Sequence, residues 1–180
     1  MTFKHKSRLF ERYFGIAALV ALAAAPVAEA RSPETDAKSG MEAFARHCFS
    51  PFLSGDAAAE AFNLSNLRHD FYDLDPLTRV APTEAKTSAT PGTDRRCEVS
   101  FDGDYAEQAM AAVVEALRRE RILLEVPLPE THAEARLPGT ALLAARQLNP
   151  RRTAVVHVGT RPGPDGVETF LNVERLQPQE

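Results

Sequence analysis

Apolar side chains recur at helical spacing from Met41 onward. Phe44 and Cys48 follow at steps of three and four residues, and Pro51 ends the pattern, so a helix is predicted here. A second helix is predicted over residues 56–65, after a Ser-Gly-Asp sequence that suits a helix cap. Together the two patterns predict a helical hairpin at the N-terminal end of the folded domain.

The longest helical pattern begins at Asp104, whose side chain is placed to cap it together with Glu107. One face of this predicted helix carries an apolar stripe, formed by Ala106, Ala109, Met110, Val113 and Leu117. The pattern ends in Arg118, Arg119 and Arg121, at the end of a helix where the dipole favours cations.

Alternating apolar and polar side chains predict strands in the second half of the chain. Cys97, Val99 and Phe101 alternate with polar neighbours. Residues 153–159 and 167–176 alternate in the same way. They flank the sequence TRPGPDG, whose Pro, Gly and Asp residues favour a turn, so a β-hairpin is predicted at the C-terminus.

Four further segments have weaker patterns. Residues 66–79 are predicted to be irregular or briefly helical, and residues 80–90 to form the first arm of a hairpin that turns at a Pro-Gly pair. Residues 122–128 read as a short strand or an extended connector, and residues 140–148 as a short helix or a strand. The whole pattern predicts an α+β fold, with a small antiparallel sheet and helices packed on one face.

The first thirty residues have the composition of a signal peptide. A basic start precedes an apolar run over residues 14–27, and Ala-Glu-Ala at 28–30 fits the small-residue cleavage rule. An uncleaved anchor is the alternative, although a spanning helix needs about 20 apolar residues. We therefore predict a signal peptide over 1–30, a disordered leader over 31–40 and a single α+β domain over 41–180. A periplasmic or secreted location follows, with no membrane span after cleavage.

The charge of the mature chain argues against two classes of partner. Removing the four basic and two acidic residues of the signal segment from the 21 and 25 of the whole chain leaves 17 and 23, a net charge of −6. Nucleic-acid binding needs a basic surface, and anionic membranes attract basic ones. The expected partner is instead another periplasmic protein or a small ligand.

The chain contains two cysteines, Cys48 and Cys97. Export would place them where disulfides form and persist, and two cysteines allow one intramolecular pairing. Both occupy inward-facing positions, on the stripe of the first helix and on the apolar face of a strand. A disulfide that closes a loop of about 50 residues is predicted to contribute about 4 kcal/mol to stability.

The pair His47-Cys48 also has the residue types of a nucleophile and its base. Adjacent helical residues do not face each other, and a thiol held in a disulfide is no nucleophile. We therefore interpret Cys48 as structural and His47 as a bystander.

Metal and cofactor sites are not expected. His69, Asp70, Asp73 and Asp75 supply oxygen and nitrogen groups at short spacing, but calcium needs six or more oxygens in a defined pattern. A zinc site would need three or four ligands, and the chain has no paired spacing of His or Cys. His157 is interpreted as an exposed histidine of the C-terminal sheet.

Three arginine clusters are the candidate ligand-binding residues. Arginine forks suit carboxylates and phosphates if the fold brings them together. The clusters are Arg95 and Arg96, Arg118 and Arg119 with Arg121, and Arg151 and Arg152, and the residues taken as candidates are Arg95, Arg96, Arg118 and Arg119. The alternative interpretation is that they lie at the ends of elements in water.

Several segments carry a resemblance. FARHCFSPF, then CEVSF followed by an alanine-rich helix, then TAVVHVG and TFLNVERL resemble a group of small exported single-disulfide proteins of alphaproteobacteria. The resemblance covers most of the mature chain. It implies no activity, and it assigns no catalytic residue.

Two classes of function remain open on these patterns. The first is a non-enzymatic periplasmic binding or interaction module, since no catalytic motif is present. The second is a periplasmic hydrolase whose site is assembled from His69, Asp70, His132 or His157. A deep pocket lined by two or more of these would favour the enzyme, whereas a flat sheet face with exposed Phe170 or Leu176 would favour a protein partner.

Overall fold

The computed structural model describes residues 32–63, 67–86, 89–133 and 135–178. The predicted signal peptide over 1–30 lies outside the described residues. Residues 32–178 belong to one unit of the chain.

Four helices and six strands occur in the described ranges. The helices are α1 (Pro33–His47), α2 (Gly55–Asn63), α3 (Ala106–Arg119) and the single turn α4 (Glu130–Ala133). The strands are β1 (Arg68–Asp73), β2 (Thr93–Asp102), β3 (Glu125–Val126), β4 (Thr140–Asn149), β5 (Arg152–Gly163) and β6 (Gly166–Leu176).

The strands form one antiparallel sheet in the order β1-β2-β6-β5-β4-β3. The β5–β6 hairpin, which the TRPGPDG segment predicts as a hairpin, forms the centre of the sheet. Helices α1, α2 and α3 pack on one side of the sheet, against β2, β1 and the β4–β6 strands respectively. The predicted α+β fold with helices packed against an antiparallel sheet is confirmed.

The core lies between those three helices and the sheet, on what we call the helical face. Its largest fully buried apolar side chains include Phe44 of α1, Phe62 of α2, Val113 of α3 and Leu171 of β6. They come from alternate strand positions and from the helical stripes, as the periodicity requires. A smaller apolar cluster of Leu143, Ala145, Val155 and Leu176 lies on the opposite side, under the segment that contains α4.

Helix α1 is longer than predicted. It begins at Pro33, a favoured first position, after Ser32, whose hydroxyl accepts from the Thr35 amide. Residues 33–40 of the predicted leader are therefore helical, and Ala37 and Gly40 are buried against the sheet. The segment is polar and packs on the sheet only through small residues, so its sequence has no apolar stripe that would predict a helix.

The segment predicted to be irregular or briefly helical over 66–79 instead contains β1. It pairs with β2 along its whole length, from Arg68 opposite Ser100 to Asp73 opposite Arg95. The sequence shows no alternation of apolar and polar residues here, because the adjacent residues Phe71 and Tyr72 are both buried, on opposite faces of the sheet. The expected first arm over 80–90 is an isolated bridge between Asp73 and Thr83; residues 87–88 lie outside the described residues.

The helix cap at α3 also differs from the prediction. Tyr105 is the capping residue and has no side-chain hydrogen bond to the helix, while Asp104 accepts from the Ala106 amide at 3.4 Å. The Tyr105 amide donates to Thr169 Oγ1 at 2.8 Å, so the helix start is attached to β6. The predicted apolar stripe is confirmed at Ala109, Val113 and Leu117.

The predicted disulfide between Cys48 and Cys97 is present. It joins the residue that follows α1 to the middle of β2, with Cα atoms 5.4 Å apart and a sequence separation of 49. Both cysteines are buried. The bond therefore ties the first helix directly to the sheet.

Candidate functional site

Charged and polar side chains gather on the face of the sheet opposite α1, α2 and α3, which we call the polar face. They occupy alternate positions of neighbouring strands, so that strand pairing places them side by side. One cross-strand row contains Asp70, Glu98, Asn172 and His157, contributed by β1, β2, β6 and β5. The same alternation directs Cys97 and its cross-strand partners, Phe71 and Val173, into the core.

Acidic and basic groups alternate along one continuous series of contacts on the polar face. We call it the ion-pair chain, and its members in order are Asp102, Arg68, Glu168, Arg161, Glu98, Arg96, Glu174 and His132. It crosses the sheet from one end of β2 to the single turn α4. Each of its arginines bridges at least two carboxylates.

Arg161 occupies the middle of the ion-pair chain. Its Nε donates to Glu168 Oε1 at 2.6 Å, and its Nη2 donates to Glu98 Oε1 at 2.7 Å. Burial alone would lower the pKa of Arg161, but the hydrogen bonds and charges of Glu98 and Glu168 raise it above its ordinary value. The guanidinium also lies 4.9 Å from the centre of the Phe170 ring.

Glu174 is the most heavily coordinated carboxylate of the ion-pair chain. Its Oε1 accepts from Thr90, Arg96 and Asn172 at 3.0, 3.2 and 3.2 Å, and its Oε2 lies 2.9 Å from His132 Nε2. Burial alone would raise the pKa of Glu174, but these partners, His132 first, hold it below its ordinary value. The carboxylate is therefore held charged in a buried position.

A groove of about 240 Å³ opens above the ion-pair chain, between the sheet and the segment around α4. Its floor is polar and includes Arg96, Glu98, Arg161, Asn172, Glu174 and His157. Its wall is mainly apolar and includes Ala135, Leu137, Leu143, Val155 and Phe170. This combination of a concave apolar wall with a few fixed polar groups is typical of ligand sites.

Asn172 is the most unusual group of the groove floor. The residue is 7% exposed, and its Nδ2 donates to Glu174 Oε1. Its Oδ1 is buried and has no hydrogen-bond partner among the described residues. The contact with a carboxylate fixes the orientation of the amide, since the reverse orientation would bring two oxygens together.

His157 lies beside Asn172 across the β5–β6 pair. Its Nε2 is 3.0 Å from Thr140 Oγ1, and its ring meets the Phe170 ring edge to face at 4.8 Å. Burial is the largest influence on its pKa, which lies below the ordinary value of histidine despite the nearby carboxylates. The predicted exposed histidine is therefore half-buried and lines the groove.

A second, more open groove of about 510 Å³ lies on the other side of the Arg161–Glu98 pair. It is lined by Arg68, His69 and Asp70 among others. His69 also packs against the Phe62 ring of α2, 5.2 Å between ring centres. Of the residues considered for a hydrolase, His132 and His157 thus line the first groove, and His69 and Asp70 line the second.

The four candidate arginines are not brought together. Arg96 belongs to the ion-pair chain on the polar face, whereas Arg95 points to the helical face and contacts Asp73 at 3.3 Å. Arg118 and Arg119 are exposed at the end of α3, where Arg118 contacts Glu115 at 3.7 Å and Arg119 donates to the Ala45 carbonyl. They share no partner in the described ranges, because neighbouring positions of β2 point to opposite faces.

Arg95 is part of a second buried charge cluster, at the end of the sheet near the disulfide. Its other members are Asp73, Asp94, Arg152, Arg175 and the more exposed Asp75. Arg175 joins two of the acids, with Nη2 2.7 Å from Asp73 and Nε 2.6 Å from Asp94. Burial lowers the pKa of Arg95 to about 10, which leaves it charged at neutral pH.

The condition set for a protein partner is not met in the structure. Phe170 and Leu176, whose exposure on a flat sheet face would favour such a partner, are buried at 5% and 6% exposure. Most residues of the ion-pair chain were not singled out from the sequence, because Glu168 and Glu174 alternate with apolar neighbours and so look solvated. Arg161 falls in the predicted turn TRPGPDG, whereas β5 continues to Gly163 and places Arg161 opposite Glu168.

No family model, curated protein or solved structure matches the chain. Within the described ranges, no three His, Cys, Asp or Glu side chains are grouped as metal ligands. No helix in the same ranges has the length and apolar character needed to cross a membrane.

Proposed function

We propose that the protein is an exported, non-enzymatic binding module of the periplasm, stabilised by one disulfide, and that its ligand occupies the groove on the polar face. The ion-pair chain beneath the groove is the observation that carries this proposal. It fixes donors and acceptors in position before any ligand arrives, and such preorganisation reduces the cost of ordering groups on binding.

The pairing of these groups favours recognition over catalysis. A general base or nucleophile needs a free proton-accepting atom directed at the substrate. The groove carboxylates Glu98 and Glu174 are instead each held by two or more donors. Their oxygens can accept further hydrogen bonds from a ligand, since a carboxylate has about four acceptor positions.

The location rests on three sequence features. The basic and apolar composition of residues 1–30 supports export, and the Cys48–Cys97 disulfide suits an oxidising compartment. The resemblance to small exported single-disulfide proteins of alphaproteobacteria supports the same location. Expression of the full chain in a bacterium, followed by fractionation and N-terminal sequencing, should give a periplasmic protein that begins at Arg31. A cytoplasmic or uncleaved product would contradict export.

The binding proposal is tested on protein isolated from the periplasm under native conditions. Leu137 is 57% exposed on the groove wall, and Leu123 is 61% exposed outside the residues that line the groove. We expect native mass spectrometry to show a bound mass on the wild type and on Leu123→Trp, and its loss from Leu137→Trp. Equal occupancy of the two variants would contradict the proposal, as would the absence of a bound mass on every form together with no shift of the groove amides by an added ligand.

A second candidate function, a hydrolase, is favoured because His132 and His157 both line the groove. A geometric observation adds to this. Thr131 Oγ1 lies 2.8 Å from His132 Nδ1, and His132 Nε2 lies 2.9 Å from Glu174 Oε2. A hydroxyl, an imidazole and a carboxylate in this order have the roles of a nucleophile, a base and the group that orients it. All three residues line the groove.

The variant Thr131→Val separates the two functions, because Thr131 is exposed and its replacement should not unfold the protein. The binding proposal expects no turnover of a reactive test ester such as p-nitrophenyl acetate above the rate of a denatured sample. Enzymatic turnover by the wild type that Thr131→Val lowers by about 100-fold or more would instead support the hydrolase.

A further inference from the structure

The arginine and carboxylate charges that line the groove cancel. Arg96 and Arg161 contribute two positive charges, Glu98 and Glu174 contribute two negative charges, and His132, a further ionisable group beside them, is held against Glu174 at 2.9 Å. His157 carries no charge at neutral pH, because its pKa is lowered. A ligand with a net charge would therefore lose its hydration in the groove without gaining a counter-charge, which disfavours both cations and anions.

The groove floor offers both kinds of hydrogen-bonding group at close quarters. Guanidinium groups donate and carboxylates accept, and they alternate along the ion-pair chain. A hydroxyl group can donate one hydrogen bond and accept two. A ligand with several hydroxyl groups can therefore use neighbouring donors and acceptors together, as neither an amine nor a carboxylate can.

Asn172 Oδ1 supplies the most specific constraint. An unpaired buried acceptor destabilises a fold, so a group of this kind in a native protein calls for an explanation. The amide lines the groove, and its orientation is fixed by Glu174. Oδ1 has almost no accessible surface, so a ligand hydroxyl that donates to it must first displace a neighbouring side chain of the lining, and it would then give the acceptor the partner it lacks.

The wall adds a requirement on shape. Leu137, Leu143 and Val155 present apolar surface beside the polar floor. A ring with hydroxyls on its edge and C–H groups on its face meets both surfaces at once. The groove, at about 240 Å³, is smaller than the roughly 300–1,000 Å³ of sites for drug-sized molecules, so it fits one small ring.

We propose that the groove of the polar face binds a small uncharged ligand that presents several hydroxyl groups on a ring, the chemical class of a sugar unit. This inference rests on the proposed function, because it names the ligand class for the same groove. Asn172 accepts from a ligand hydroxyl, the ion-pair chain provides further donors and acceptors, and the apolar wall packs against the ring.

The test compares three probes that share one ring and differ in charge: D-glucose, D-glucosamine and D-glucuronate. Each is titrated at pH 7 into the mature protein labelled with ¹⁵N, and amide shifts at residues 98, 157 and 172 report the groove. We expect glucose to shift these amides and the two charged sugars to bind roughly tenfold more weakly or worse. Equal or tighter binding of a charged sugar, or no groove shift with glucose, would overturn the proposal.

Two variants test the assigned contacts. Asn172→Leu removes the acceptor, and we expect it to weaken glucose binding by roughly tenfold, the effect of one hydrogen bond. Gln147→Leu is the matched control, since Gln147 is an amide on β4 outside the groove lining. Leu137→Trp, at an exposed position, should block the groove and so weaken glucose binding. It tests the groove even if Asn172→Leu does not fold. Unchanged binding in the folded variants contradicts the contacts.

Failure of the sugar proposal can be told apart from failure of the proposed binding function. If native mass spectrometry finds a groove-dependent ligand of another class, the sugar proposal falls and the binding module stands. If neither a co-purified ligand nor glucose occupies the groove, both fall.

Discussion

Arg161 Nη2 donates to Glu98 Oε1 at 2.7 Å, and this pair stands between the two grooves of the polar face. Both residues line both grooves. Glu98 also accepts from Arg96, so that one buried carboxylate joins the two halves of the ion-pair chain. The contact therefore joins neighbouring strands of the sheet and also forms the boundary between the two grooves.

Removal of the charge of Glu98 should destabilise the fold. Glu98→Gln would leave Arg96 and Arg161 short of a counter-charge, and breaking a buried ion pair from one side costs roughly 3–5 kcal/mol. Because the Arg161 side chain is 36% exposed, part of that cost is relieved by water, and we expect a loss of about 2–4 kcal/mol in the free energy of unfolding. Urea denaturation of the mature protein measures it.

The control for this variant is Glu125→Gln. Glu125 pairs with Arg146 at 2.9 Å, but its side chain is 76% exposed. We expect a change of about 0.5 kcal/mol or less, as for other surface pairs. A Glu98→Gln variant as stable as this control would show that the ion-pair chain contributes little.

The Cys48–Cys97 disulfide should account for much of the stability. It spans 49 positions of sequence, and the chain-entropy model gives about 4 kcal/mol for a loop of that length. We expect the double variant Cys48→Ala, Cys97→Ala to lose about that amount in urea denaturation, out of a total of about 5–15 kcal/mol for a domain. Reduction of the wild type should move its unfolding midpoint in the same direction.

Thiol chemistry provides an independent check of the same bond. Protein isolated from the periplasm should resist alkylation until a reductant is added. Labelling of both cysteines in the native protein without reductant would rule the crosslink out under those conditions.

The elements predicted correctly are those whose apolar pattern faces one core. Val113 and Leu117 of α3 recur at helical spacing, and Val156 and Val158 of β5 alternate, because the helical face alone buries them. The disulfide followed from cysteine count and inward placement. Each of these signals is local in sequence and needs no knowledge of the neighbouring strand.

The parts that escaped prediction depend on strand register. Whether Glu174 is solvated or buried is decided by Arg96 across the β2–β6 pair and by His132 from a distant turn. A single sequence shows the charges but not which charge each one meets. Strand β1 was missed for the same reason, since Asp70 and Asp73 look like loop residues until β2 supplies their arginines.

Gly40 should resist substitution because α1 approaches β2 closely there. A Cβ atom at this position would lie 2.6 Å from Phe101 Cε1 and 3.2 Å from Leu67 Cδ2. Phe101 is 3% exposed and has little room to move. Alanine favours the helix by about 1 kcal/mol over glycine, but overpacking of a core costs typically about 1–3 kcal/mol, so we expect Gly40→Ala to be destabilising by up to about 2 kcal/mol.

Lys38→Ala is the matched control in the same helix, at an exposed position. It changes helix propensity slightly at a solvent-exposed position, so its unfolding midpoint should stay close to that of the wild type. Gly40→Ala at or above the stability of the wild type would mean that α1 can shift away from Phe101 without cost.

Stability should fall as the pH drops from 8 to 5, because three histidines resist protonation in the folded state. Burial is the largest cause that lowers the pKa of His47, His69 and His157 below the ordinary value of about 6.5. The unfolded chain therefore binds more protons than the folded chain once the pH falls below about 7, and the free energy of unfolding decreases with falling pH. Above pH 8 these three histidines are neutral in both the folded and the unfolded state, so they do not make the free energy of unfolding depend on pH.

His157→Gln isolates one of the three contributions. Glutamine keeps a hydrogen-bonding side chain next to Thr140 but does not titrate, so the drop in unfolding free energy between pH 8 and pH 5 should be smaller than in the wild type. The charged groups that influence the His157 pKa, Glu98, Glu174, Arg161 and Arg136, remain in place. The pKa of Glu174 is also lowered, so this carboxylate stabilises the folded state until it is protonated. That protonation destabilises the protein at pH values below the range from 8 to 5. Lys38→Ala should give a curve parallel to the wild type, and a parallel curve for His157→Gln would show that His157 is not held neutral by the fold.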